Sequence, residues 1–384
     1  MIGNHLVIDA VAHCPNFADD NCRNKSAHEL IGLIKNLHLQ WNPEGFRLPE
    51  QAFLVDVDVE TVARTMFLES QTDVTVHHHL PLYSWFHDGN VSQEKNVEIA
   101  RRWPHRVISY LGLDPIDGPE RCIESMERQF EALPSAVGLK FYPAQVEPWR
   151  TFRLDDEKLL FPLLERALKL GIRTIAIHKA SPLGPVPMSP FAVDDIEGAA
   201  FAFPNMNFEI IHTGLAFLDE TAQAVARFPN VYANLETTSQ LTYFGPGKFQ
   251  EIIAQLLFWG GKEKLIYSAS VPYGHPKPQI DAIWNLKLSD EMMEKYHLEQ
   301  LTDADKAGIL GGNYARMIGY DMEKAKKAIA NDEFTKELKA RGGKYDAPWS
   351  NWMKAFNAGK LRKYSGPALG HHTSKHAHEP VAAV

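Results

Sequence analysis

The chain has little cysteine. Three in 384 residues, Cys14, Cys22 and Cys122, are an odd number with no C-x-x-C spacing, so neither a disulfide framework nor a cysteine zinc knuckle is supported, and a reducing cytoplasm fits best. Positive charge is also short. Forty Lys and Arg against 48 Asp and Glu give a net charge of −8, and no basic run offers a footprint for nucleic acid. No apolar run approaches the ~20 residues that cross a bilayer, so no membrane is expected, and no charged-then-apolar leader precedes the first strand-like segment. There is no internal repeat. The remainder, 45% hydrophobic and 23% charged, is ordinary for a soluble globular protein.

What is present is alternation. Apolar, β-branched-rich runs occur at 6–9, 74–78, 106–112, 137–141, 173–178, 207–212, 231–235 and 264–268. Between most of them lies helical periodicity, at 96–103, 120–133, 156–170, 219–228 and 249–259, several times closed by Gly or Pro. Eight such strands with crossover helices predict a (β/α)8 TIM barrel with its active site at the C-terminal strand ends. An open doubly wound sheet is the alternative, but no Gly-rich dinucleotide loop follows the first strand. Residues 1–364 then form one domain. A long insertion at 16–60 is expected as a lid or subunit contact, and 365–384 reads as a His-rich tail carrying His371, His372, His376 and His378.

Three histidines, His13, His178 and His212, each end an apolar strand, and three imidazoles can hold a zinc with an open fourth position. Within His77-His78-His79, strand alternation lets His77 and His79 share a face, and His79 is taken as a further candidate ligand. Lys140 ends the fourth strand. It can pair with a carboxylate, anchor a substrate carboxylate, or become carbamylated. Glu236 ends the seventh strand, as a replacement ligand, a general base or a partner of Lys140.

Six segments, IDAVAHCP (8–15), GLKFYPA (138–144), AIHKASP (176–182), FEIIHTG (208–214), LIYSASVP (265–272) and ILGGNYARMIGYD (309–321), in this order resemble the amidohydrolase superfamily, in the branch of aminocarboxymuconate-semialdehyde decarboxylase. The resemblance runs from about residue 5 to 320 and implies a metal-dependent hydrolase barrel. It implies metal on a His-x-His of the first strand, a His of the fifth and an Asp of the eighth. His13, His178 and His212 match; Val11 and Ser270 stand where a His and the Asp belong.

Two functions follow. One is a hydrolase or decarboxylase of a small carboxylated or aromatic substrate, with a single zinc-like divalent metal on His13, His178, His212 and His79, and with Lys140 and Glu236 in catalysis. The other is the catalytically weakened partner subunit of a heteromeric amidohydrolase-fold metal-dependent monooxygenase, as in the two-subunit 2-aminoisobutyrate hydroxylase. Either way a second amidohydrolase-fold chain is the expected partner, with the 16–60 insertion and the tail at the interface.

Overall fold

The computed structural model describes residues 1–369; the tail histidines lie outside them. Eight parallel strands form one sheet in sequence order: β1 (Ile8–Ala12), β2 (Val74–His78), β3 (Val107–Gly112), β4 (Gly138–Phe141), β5 (Thr174–His178), β6 (Asn207–Ile211), β7 (Val231–Asn234) and β8 (Leu265–Ile266). The sheet closes on itself. Ala10 N donates to Tyr267 O at 3.1 Å, Ser270 N to Val11 O at 3.1 Å and His13 N to Val271 O at 2.9 Å. This is the (β/α)8 barrel that the alternation predicts.

Side-chain alternation sorts each strand into an inner and an outer face. Leu265, Tyr267 and Ala269 pack outward against helices, while Ile266 joins an interior cluster with Ile8, Val74, Val76, Ile108 and Ala176. In β4, Leu139 and Phe141 face out, which leaves Gly138 and Lys140 inside. A Cβ on Gly138 would lie 2.6 Å from the Tyr110 ring, so only glycine admits that ring to the interior. In β1 the register slips between Asp9 and Ala12. This bulge lets both Ala10 and Val11 face the interior cluster and carries His13 into the mouth.

The crossover helices α2 (Val59–Glu69), α3 (Gln93–Arg102), α4 (Pro119–Ala132), α5 (Phe161–Lys169), α6 (Asp194–Ala202), α7 (Leu218–Arg227) and α8 (Pro246–Gly260) cover the outside. α5 begins five residues later than periodicity suggests. Asp156 Oδ1 accepts the amides of Lys158 and Leu159 at 2.9 Å, a local turn that competes with helix. The 309–321 motif fastens β8: Asn313 Nδ2 donates to the carbonyls of Lys262 and Leu265, both at 2.8 Å.

The insertion preceding α2 contains α1 (Lys25–Trp41), and the C-terminal segment clasps it within the same chain. Arg362–Lys363 pairs antiparallel with Val55–Asp56, and Ser365 Oγ donates to Asp19 Oδ1 at 2.8 Å. Residues 365–369 therefore pack with the domain rather than beyond it. Buried Glu69 fixes the start of the helix Ser350–Asn357, accepting the amides of Trp349 at 2.6 Å and Asn351 at 2.8 Å, and it also faces His275 Nε2 at 3.1 Å.

Inside the insertion, buried His38 stacks on Phe53 with ring centroids 4.4 Å apart, and its Nε2 accepts the Leu48 amide at 2.7 Å. Burial pushes this imidazole from 6.5 down to about 4. The unfolded chain therefore takes up a proton below pH 6.5 that the fold resists until near pH 4. Stability is lost as pH falls through that window, by about 1.4 kcal/mol per pH unit for such a group. His79, also pushed to about 4, adds to the effect. Thermal unfolding between pH 7 and 4.5 should show a falling midpoint, and His38→Gln should flatten part of the slope.

Candidate functional site

Four strand ends converge on one carboxylate. Glu236, two residues past β7, is buried, and its backbone N–H donates to Asn234 Oδ1 at 3.1 Å. Ser270 Oγ donates to Glu236 Oε1 at 2.5 Å, and His13 Nε2 lies 3.4 Å from the same oxygen. His212 Nε2 stands 4.0 Å from Oε2, which has no hydrogen-bond partner. Burial alone would raise this carboxyl. His212, the His13 hydrogen bond and the Lys140 charge outweigh it and hold Glu236 well below the usual range.

His212 reaches the site because its backbone is left-handed, with φ 65°. Regular extension after inward Ile211 would point it out of the barrel; the conformation reverses that at a cost of order 1 kcal/mol or more. Ser270 shares the feature, with φ 60°. His178 Nε2 lies 2.8 Å from the Ser181 carbonyl, and His212 Nδ1 lies 3.2 Å from the Glu236 carbonyl. Carbonyl oxygens only accept, so both of these nitrogens carry hydrogen. Burial drives both imidazoles to the neutral form, His212 to about 4 and His178 well below its ordinary value. The two remaining nitrogens, His178 Nδ1 and His212 Nε2, then face each other with bare lone pairs 3.0 Å apart. Such a pair calls for a cation between or beside it.

A single divalent metal suits that donor chemistry, with the orphaned Glu236 Oε2 as third ligand. Among the described residues, no group of three His, Cys, Asp or Glu side chains already stands arranged to hold one. Val11 has no donor atom, and Ser270 and His13 occupy Glu236 Oε1. His13 thus lies on the carboxylate rather than beside the facing nitrogens.

His79 is not brought to the mouth. Its Nδ1 faces Gln129 Oε1 at 2.9 Å and lies 3.2 Å from the Gly112 amide, behind the sheet. His77 shares that outer face, bonded to Asn96 Oδ1 at 2.8 Å. His78 is the inward one, stacked on Tyr110 at 4.5 Å and bonded to the Ala10 carbonyl at 3.1 Å. The register of β2 decides this, since Val74 and Val76 belong to the interior.

Lys140 does enter the site, fully buried, with no hydrogen-bond partner for Nζ. Burial pushes its ammonium from 10.5 down to about 8, against the opposing charges of Glu236 and Glu209. Two features escape the sequence reading. One is the floor, where Glu209 accepts Tyr110 Oη at 2.6 Å and Asn234 Nδ2 at 2.8 Å, and Ser268 Oγ donates to Asn234 Oδ1 at 2.7 Å. Of its members only Asn234, two residues before Glu236 at the end of the seventh strand, stands out in the sequence. The other is Tyr273, whose ring lies 5.5 Å from His13 while its carbonyl accepts Asn42 Nδ2 at 2.8 Å and Gln240 Nε2 at 2.9 Å. It ties the insertion to the site.

The sequence model of the amidohydrolases matches residues 37–320. The chain belongs to the amidohydrolase family. No curated protein matches its sequence. Solved structures give the barrel again. An uncharacterized TIM-barrel protein from Bordetella bronchiseptica is 16% identical, over 82% of this chain and 98% of its own, with a TM-score of 0.58. The 5-carboxyvanillate decarboxylase of Novosphingobium aromaticivorans, with bound manganese and a nitrobenzoic acid ligand, is 14% identical over 82% and 97%, with a TM-score of 0.51. That of Sphingomonas paucimobilis is 12% identical over 82% and 99%, also at 0.51. At these identities the likeness among amidohydrolases is one of fold. No helix among the described residues is long and apolar enough to cross a membrane.

Ser270→Ala should remove a hydrogen bond to a buried charge and cost about 1.5–3 kcal/mol in chemical denaturation. A loss below 0.5 kcal/mol, well under the range for such bonds, would mean that Glu236 does not depend on this hydroxyl.

Proposed function

We propose that this amidohydrolase is a decarboxylase or hydrolase of a small carboxylated, aromatic substrate, related to the aminocarboxymuconate-semialdehyde decarboxylase branch and holding one zinc-like divalent metal. The observation that carries the reading is the pair of facing imidazole nitrogens, 3.0 Å apart. With Glu236 Oε2 they offer the two-His, one-carboxylate set that catalytic zinc takes. When bound, such a metal polarises a substrate oxygen or activates water.

The chain's own residues have separate tasks. Glu236 offers its unpartnered Oε2 to the metal, while Ser270 and His13 fix Oε1 and hence the direction of that oxygen. Lys140 supplies positive charge to a substrate carboxylate. Tyr273, packed on His13 and Phe17, keeps water from the carboxylate. Three cysteines without a disulfide suit a reducing cytoplasm.

A second reading, the partner subunit of a heteromeric metal-dependent monooxygenase, is favoured by the loss of donors at Val11 and Ser270. It is also favoured by enclosure: His13, Lys140, Glu236 and Ser270 are at most 3% exposed. Its partner is a second amidohydrolase-fold chain with an intact site. Turnover that begins only when that chain is added supports this reading, and turnover by the isolated chain argues against it.

Elemental analysis of protein purified without a tag or added metal should find at most one tightly held divalent ion per chain. Replacing His178 and His212 together with Ala should abolish binding, whereas Cys14→Ala should not. Two ions per chain, bridged through a modified Lys140, would sink the single-metal reading.

A further inference from the structure

The site is sealed on most sides. His13, Lys140, Glu236 and Ser270 are at most 3% exposed, whereas His178 is 7% exposed and His212 6%. Solvent therefore meets the site through a slit over these two histidines, and a substrate wider than water needs something there to move. The closed, hydrogen-bonded sheet cannot. The segment bordering the slit can. Residues 181–190 leave the barrel just after His178 and return at Phe191, whose ring lies 5.8 Å from the His178 ring.

This loop is built as a stiff flap with its ends pinned together. The Ala180 amide donates to the Phe191 carbonyl at 2.8 Å, and Lys179 Nζ to the Pro190 carbonyl at 2.9 Å. Between the pins stand Pro182, Pro185, Pro187 and Pro190, which restrict the backbone and remove donors. Of the remaining amides only that of Val186 finds a backbone acceptor, Gly184 at 2.9 Å. Leu183 is the one buried side chain of the ten. Beside it, Gly184 lies against α1, where a Cβ would stand 3.6 Å from the Leu30 Cα. A segment with few hydrogen bonds and one apolar anchor belongs to the low-stability end of a fold. Ala180 stores strain at the pivot: its backbone is left-handed, with φ 57°, which is costly for any residue but glycine.

We propose that residues 181–190 form a lid over the His178–His212 slit, pivoting at Ala180 and Phe191 and latched by Leu183. This rests on reading that mouth as the active site, but does not draw on the metal. Closed, the lid also sets a side chain of the site. The Ser181 carbonyl accepts from His178 Nε2 at 2.8 Å and so holds Nδ1 toward His212. Opening breaks that bond and frees the ring, so that admitting a substrate and aligning His178 are two phases of one hinged movement. Entry is on this side of the mouth. The opposite side, over His13, is closed by Tyr273, whose carbonyl the Asn42 and Gln240 side chains hold.

The test treats the full-length protein, after chelation, with diethyl pyrocarbonate and maps the carbethoxylated histidines by mass. Leu183→Asp removes the latch and should raise the labelling rates of His178 and His212 roughly ten-fold or more, the scale of one lost apolar anchor. His13 and His38 should stay unlabelled. Leu183→Ala, a milder change that keeps the protein folded if the charge does not, should raise the same rates several-fold. Ala180→Gly relieves the closed form of its strain and should slow them roughly five-fold. Circular dichroism checks the fold of each variant. Unchanged labelling in folded Leu183 variants, faster labelling in Ala180→Gly, or His13 reacting before His178 would each overturn the lid. Unlatching in a protein that elemental analysis finds free of metal as purified would instead remove the single-metal reading and leave the lid standing.

Discussion

The mouth of this barrel is organised by one negative charge that has no water around it. A carboxylate buried to the extent of Glu236 is tolerated only when hydrogen bonds and opposite charges replace its hydration. Here the replacements come from four strands: Ser270 and His13 at one oxygen, His212 near the other, and Lys140 by its field. A serine past the eighth strand bonds to a glutamate contributed by the seventh.

Beneath it lies a second support. Tyr314 donates to Tyr110 at 3.1 Å, Tyr110 to Glu209, and Asn234 links Glu209 to both Ser268 and the Glu236 amide. Burial pushes Glu209 up to about 7. The network is satisfied at nearly every atom, and satisfied buried polar networks specify one arrangement of their members. Gly138 is what admits it: any side chain there would meet the Tyr110 ring.

The architecture was legible because apolar strand runs and helix periodicity are properties of the chain itself, and such a run marks every one of the eight strands. The site was legible only in part. His13, His178, His212, Lys140 and Glu236 are brought together as expected from their places at strand ends. His79 is not, because the face that a histidine in a run of three takes depends on strand register, which is set by partners far away in sequence. The direction of His212 depends on a left-handed residue that neither pattern nor propensity announces. Tyr273 lies in a loop, where no periodicity exists to read. The His-rich tail falls outside the described residues.

The clasp between the two ends of the chain has a consequence for synthesis. Val55–Asp56 finds its strand partner only at Arg362–Lys363, and Glu69 finds the amides of Trp349 and Asn351 some 280 residues later. The insertion carrying His38 and Asn42, and with it the anchoring of Tyr273 above His13, waits for these partners. A ribosome making this protein therefore finishes the barrel wall before the roof over its mouth can settle. Pairings so distant in sequence form slowly, and domains emerge from the N-terminus onward.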